Sequence, residues 1–156
     1  VAIRTNGTLW AWGAIDTGQL GDGTTTTRTS PVQVGSAATW ASLAPGGFST
    51  LAVRTDGTLW AWGDNATGQL GDGTTTDRLA PAQVGSASTW KQASASLYHV
   101  AAVRTDGTLW TWGENGLGQL GDGTTISRSV PAQVGSATNW DRVEVGSGFV
   151  TGLRRS

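Results

Sequence analysis

The sequence predicts an all-β protein assembled from three copies of one four-stranded unit. Three observations carry that expectation. The 156-residue chain holds 24 Gly but only one Lys and two Glu, so residues that favour helix interiors are scarce. Its nine Trp form three sets with one common step of 50 residues: Trp10, Trp60 and Trp110; Trp12, Trp62 and Trp112; Trp40, Trp90 and Trp140. Asn-Gly or Asp-Gly pairs sit between short β-prone runs at Asn6-Gly7, Asp56-Gly57 and Asp106-Gly107, the strongest local hairpin signal.

The third unit shows each element in turn. Val100–Arg104 is a short apolar run. Asp106-Gly107 follows as a turn, expected as type I′, which needs positive φ at both central residues. Leu109-Trp110-Thr111-Trp112 returns as the second strand. Pro131-Ala132-Gln133-Val134 is a third, opened by a residue without an N–H, which suits a strand start or sheet edge. Trp140–Val145 alternates apolar with polar and reads as half-buried. The expected units are 1–50, 51–100 and 101–150, with 151–156 repeating one strand, all in a single domain, 1–156. Four strands in about 50 residues is the size of a propeller blade.

Trp residues two apart share one strand face. All nine Trp are therefore expected to pack blade against blade. Burying an indole removes roughly 200 Å² from water, an upper bound of about 5 kcal/mol each.

Composition narrows the chemistry. The chain has no Cys, which excludes disulfides, thiolate metal sites and Cys nucleophiles. Ten basic and 11 acidic residues leave a net charge of −1, without the basic clusters of a nucleic-acid binder. No apolar run approaches the ~18 residues of a membrane-spanning helix. His99 is the only His, and no nucleophile or carboxylate stands at a recognisable spacing from it. Asp22, Asp72 and Asp122 lie between glycines, where Asp forms turns by bonding its own backbone. Arg28, Arg78 and Arg128 follow six residues later and are expected to pair with carboxylates or carbonyls within the blade. The expectation is a non-enzyme with no cofactor and no metal. Recognition is expected at positions that vary between units: Ile15, Asp16, Asp64, Asn65, Glu114 and Asn115 after each Trp-Gly, and Phe48, Tyr98, His99 and Phe149, since loops on rigid scaffolds carry function.

The segment from Arg104 through Trp110-Thr111-Trp112-Gly113 to Gly118-Gln119-Leu120-Gly121, followed by Pro131 and Val134, resembles the regulator of chromosome condensation repeat. Three copies cover the whole chain. The resemblance implies mostly seven-bladed propellers that bind proteins, with roles from guanine-nucleotide exchange and chromatin docking to β-lactamase inhibition by a secreted bacterial propeller. Three blades are too few to close, because propellers have about four to eight. The chain also opens and ends on the same strand type, at Val1–Arg4 and Thr151–Arg154. An incomplete propeller is therefore expected, completed by oligomerisation of the chain with itself or by further blades of a longer chain. The expected function is a non-catalytic scaffold that associates blade to blade and takes a protein partner on its loops, without membrane insertion. The alternative is a subunit of an extracellular fibre or surface assembly; nucleotide exchange and chromatin binding rank below both. The Lys-poor, Gly-rich composition suggests the exterior of a bacterium, with the cytoplasm as the alternative.

Overall fold

The computed structural model describes residues 1–156. Thirteen strands succeed one another without a helix: β1 (Ala2–Ile3), β2 (Leu9–Gly13), β3 (Arg28–Gln33), β4 (Trp40–Pro45), β5 (Ser49–Arg54), β6 (Leu59–Gly63), β7 (Arg78–Gln83), β8 (Trp90–Ala95), β9 (His99–Arg104), β10 (Leu109–Gly113), β11 (Arg128–Gln133), β12 (Trp140–Val145) and β13 (Val150–Arg154). They form four sheets, in the orders β1-β2-β3, β4-β5-β6-β7, β8-β9-β10-β11 and β12-β13. Every pairing is antiparallel. The all-β class and the open, incomplete propeller both hold. No helix is long and apolar enough to cross a membrane.

The sheets begin at Trp40, Trp90 and Trp140, so each takes its first strand from the end of the preceding sequence unit. Two sheets have all four strands. The first lacks its leading Trp strand and the last lacks its outer two. The reason is local. Trp40 pairs with Arg54 and Pro45 with Thr50 across a tight turn, whereas the stretch after Gln33 crosses to the next sheet. The hairpin of the blade behind receives it: the Trp90 N–H donates to Gly57 O at 3.0 Å, and the Trp140 N–H to Gly107 O at 3.0 Å.

The Asp-Gly turns differ from the expected type I′. Only Gly has positive φ, with Gly57 and Gly107 both at 77°, and Asp56 and Asp106 do not. The Gly57 N–H donates to Arg54 O at 2.9 Å and the Arg54 N–H to Thr58 O at 3.0 Å. That is a three-residue loop, a type I turn closed by a left-handed Gly bulge. The Asp side chain explains the preference: Asp56 Oδ1 accepts from Thr58 N at 3.0 Å and Thr58 Oγ1 at 2.7 Å. It thus caps the turn without leaving the ordinary backbone region.

Strand alternation divides the core into layers between sheets. Leu51, Val53, Leu59 and Ala61 face forward and pack with Trp90 and Trp112 of the next blade. Ala52 and Trp62, on the opposite face of the same two strands, pack backward with Leu9, Ala11, Leu20 and Val34. Each complete sheet is therefore apolar on both faces, the pattern required of a sheet covered on both sides.

Candidate functional site

Each complete blade gathers its three Trp on its backward face. Trp40 lies 6.1 Å from Trp60 and 5.9 Å from Trp62, both edge-on. Trp90 lies 6.0 Å from Trp110 and 5.9 Å from Trp112. The Arg that opens each hairpin sits over an indole: Arg54 Cζ is 3.7 Å from the Trp60 centroid and Arg104 Cζ is 3.8 Å from that of Trp110. The ring quadrupole attracts the cation there. The second indole of each hairpin enters the blade behind. Trp62 Nε1–H donates to Gln19 O at 3.0 Å and Trp112 Nε1–H to Gln69 O at 2.9 Å. Burial follows position. Trp62 and Trp112 are 0% exposed, whereas Trp12, with no blade behind it, is 45% exposed. The first indole of each hairpin does not follow this pattern: Trp10, Trp60 and Trp110 are all half-buried, as is Trp140.

The Gly-Asp-Gly-Thr loops are tied by one repeated clip. Asp22, Asp72 and Asp122 each accept from an Arg Nε, at 2.6, 2.9 and 2.7 Å. Their other oxygen accepts from the backbone and hydroxyl of Thr24, Thr74 and Thr124. The Thr124 hydroxyl and then the Arg128 guanidinium hold the Asp122 carboxyl at about 2. At Asp22 and Asp72 burial pushes the pKa up, but the Thr and Arg bonds outweigh it and the net shift is downward.

The structure sorts the variable positions into interior and surface. Ile15, Asn65, Asn115 and His99 are buried, so the expectation that they face a partner is corrected. Asn65 Nδ2 donates to Asp72 Oδ1 and to the carbonyls of Thr74 and Thr76, while its Oδ1 accepts the Leu70 N–H at 3.0 Å. Asn115 repeats the arrangement on Asp122, Thr124, Ile126 and Leu120. In the first blade Ile15 stands in this place and fills it with an apolar side chain. These residues shape the loop from within.

His99 is packed beneath the loops, with Nδ1 2.8 Å from Ser96 Oγ. Burial pushes its pKa down, opposed by the Phe149 backbone and the Glu114 charge. Nε2 has no hydrogen-bond partner. No group of three or more His, Asp or Glu is placed to hold a metal ion.

Phe48, Tyr98 and Phe149 do reach solvent, at 40%, 41% and 59% exposure. They occupy equivalent turns of three successive blades. Asp64 and Glu114 lie beside them, because the Asp64 N–H donates to Phe48 O at 2.9 Å and the Glu114 N–H to Tyr98 O at 2.8 Å. Asp16 is exposed on the corresponding first-blade loop. Thr17 Oγ1 and Thr67 Oγ1 stitch each loop to the following blade by donating to Phe48 O and Tyr98 O at 3.1 and 3.0 Å. One end of the stack thus carries three exposed rings, with Asp64 beside Phe48 and Glu114 beside Tyr98. Sequence reasoning missed these Thr bridges and the Gln19 and Gln69 carbonyls. The Gly-Gln-Leu-Gly repeat was visible, but a backbone acceptor has no side-chain signature. It also missed Gln92, which binds the next blade like a strand: its Nε2 donates to Val143 O at 2.8 Å and its Oε1 accepts the Val143 N–H at 3.0 Å.

Sheets stacked through buried indoles, with aromatic and acidic loops at one end and both outer faces uncovered, define an open propeller-repeat protein. The family model of the regulator of chromosome condensation (RCC1) repeat matches residues 6–53, 56–103 and 106–153. A second model of the same repeat matches 40–69 and 90–119. The chain belongs to the RCC1 repeat family. Comparison with curated protein sequences finds no match. Among solved structures, yeast RCC1 (Prp20) bound to Kap60 superposes with a TM-score of 0.86 at 20% identity, over 99% of this chain and 40% of that one. Prp20p from Saccharomyces cerevisiae, described with its binding to Gsp1p and histones, gives 0.85 at 20% identity, over 99% and 41%. Human WBSCR16 gives 0.82 at 25% identity, over 97% and 42%. The chain spans about two fifths of the length of these proteins.

Proposed function

We propose that the chain is a non-catalytic scaffold module that binds a protein partner through its loop end and joins further blades through its open faces. The observation that carries the reading is the exposure of Phe48, Tyr98 and Phe149 on equivalent turns of successive blades, with Asp64 and Glu114 beside the first two. Aromatic rings on a rigid support are favoured interface anchors, and acidic residues on the neighbouring loops suit a partner with basic and apolar residues. Yeast Prp20p is described as binding Gsp1p and histones, which supports protein binding as a use of this fold. The one hydroxyl–imidazole pair, Ser96 Oγ and His99 Nδ1 at 2.8 Å, contains a His99 that is 0% exposed and so offers no base to a substrate.

The test compares the chain with the triple variant Phe48→Ala, Tyr98→Ala, Phe149→Ala as baits against extract of the native source. A protein retained by the first and lost with the second supports the reading, provided both baits melt at similar temperatures. Identical retention profiles exclude the loop end as the binding surface.

A further inference from the structure

The sequence holds two Asn-Gly pairs, Asn6-Gly7 and Asn115-Gly116. An asparagine amide is readily lost in this dipeptide, because Gly has no side chain to keep its backbone nitrogen away from the preceding Cγ. As sequence the two pairs are equivalent, and the fold separates them. Asn115 is 0% exposed. Its Nδ2 donates to Asp122 Oδ1, Thr124 O and Ile126 O, and its Oδ1 accepts the Leu120 N–H at 2.9 Å. The amide that would leave is thus held on three acceptors inside the loop. Asn6 is exposed in the turn of the first hairpin. Its Oδ1 accepts from Thr8 N at 3.2 Å and from Thr8 Oγ1 at 2.7 Å, and no contact holds its Nδ2. This exposure belongs to the turn and not to the place of the blade in the stack. Asp56 and Asp106 occupy the same position in sheets that have a neighbour on either side, and both are exposed.

We propose that Asn6 is a site of spontaneous modification, converted through a succinimide to aspartate and isoaspartate, while the fold keeps Asn115 intact. The Gly7 amide gives its proton to water or hydroxide and its nitrogen attacks Asn6 Cγ. The N–Cγ bond forms, the Cγ–Nδ2 bond breaks, and Nδ2 departs as ammonia with a proton from solvent. Water then opens the ring. Addition at Cγ yields aspartate on the original backbone, and addition at the Asn6 main-chain carbonyl yields isoaspartate. Nothing is oxidised or reduced. The turn has to open briefly first, because the Gly7 N–H is bonded to Arg4 O at 2.8 Å. Exposed turns open at little cost, whereas the Asn115 loop opens only by giving up its buried hydrogen bonds.

The other blades show which product fits. Asp56 Oδ1 accepts from Thr58 N and Oγ1, and Asp106 Oδ1 from Thr108 N and Oγ1, as Asn6 Oδ1 does from Thr8. Aspartate at position 6 therefore rebuilds the same turn, facing Arg4 as Asp56 faces the Arg54 charge. One added carboxylate takes the net charge from −1 to −2. Isoaspartate instead inserts one extra backbone atom ahead of Gly7, which is closely held. Gly7 O accepts the Trp40 N–H of the next sheet at 3.2 Å, and a Cβ on Gly7 would run into the Ala38 carbonyl. The isoaspartyl form thus loosens the contact between the first two sheets.

The test ages the chain in mildly alkaline buffer, once folded and once in urea, and then cleaves it with trypsin. Cleavage after Arg places Asn6 in the peptide Thr5–Arg28 and Asn115 in Thr105–Arg128, each the only Asn of its peptide. Mass spectrometry reads the exchange of NH for O. In the folded chain Thr5–Arg28 is expected to convert about a hundredfold or more faster than Thr105–Arg128, the scale of opening several side-chain hydrogen bonds together. In urea the two rates are expected to converge. Equal rates in the folded chain overturn the protection of Asn115. Conversion of Thr5–Arg28 in urea alone overturns Asn6 as a site in the native protein, and conversion in neither condition overturns the succinimide route. Asn6→Asp serves as the standard for the aspartyl product, and the isoaspartyl fraction is expected to melt below it. An isoaspartyl fraction that melts with Asn6→Asp overturns the link between position 6 and the Trp40 contact.

Discussion

Replacing Trp112 by Ala separates the two environments of one repeated residue. Trp112 is wholly buried, lies 5.9 Å from Trp90, and donates to Gln69 O at 2.9 Å. Truncating a buried Trp costs about 3–5 kcal/mol. Leaving the Gln69 carbonyl without its donor adds about 1 kcal/mol. The sum is a large part of the roughly 5–15 kcal/mol that holds a typical domain together. Trp12→Ala changes the same residue at the same strand position, but that ring is half in solvent and meets no carbonyl. Its cost in the isolated chain is expected to stay near 1 kcal/mol. Trp112→Phe keeps most of the packing and loses the donor, so it falls between them at about 1–2 kcal/mol. Urea unfolding followed by circular dichroism, at protein concentrations where sedimentation shows each variant monomeric, measures all three. Equal losses for Trp112→Ala and Trp12→Ala would refute the claim that the neighbouring blade, and not the strand itself, makes the indole stabilising.

Acid is expected to act through the Asp–Arg clips. The folded-state pKa of Asp122 is depressed to about 2, so its stabilising effect is complete above the unfolded value of about 3.9 and is lost as pH falls toward about 2. Melting temperature should drop across that window. Asp122→Asn should start lower at neutral pH and drop less; parallel curves would remove Asp122 as a contributor. His99 acts at milder pH. Burial lowers its folded pKa, so the unfolded chain takes up the proton first and stability declines as pH falls below about 6.5. His99 is the only His, so His99→Gln should flatten the stability profile between about pH 7 and 5. An unchanged slope there would show that His99 is protonated equally in both states.

The repeat was legible because every blade solves the same packing problem with the same residues. Nine Trp in three sets at one 50-residue step, and the repeated Gly-Gln-Leu-Gly segment, could be counted without coordinates; that Gly21 and Gly71 stand against an indole could not. The turn at Asp56-Gly57 was placed correctly but given the wrong backbone class, because the dipeptide signals a reversal and the Asp56–Thr58 hydrogen bonds select its type. Asn65, Asn115 and Ile15 were misjudged for a related reason. Variation between units resembles surface drift, yet here it is an exchange of one loop filling, Asn with its hydrogen bonds, for another, Ile with its methyls.

The amino-acid sequence alone determined the strand content, the period and the family, since those depend on local propensity and on contacts repeated at a constant interval. Where one sheet ends and the next begins was settled only in three dimensions. Antiparallel hydrogen bonding can join the Trp40 strand to either neighbour in the chain, and the tight turn before Ser49 decides for β5. The difference in burial between Trp12 and Trp112 is likewise a tertiary fact. Identical residues differ there solely because burial is conferred by whatever stands opposite.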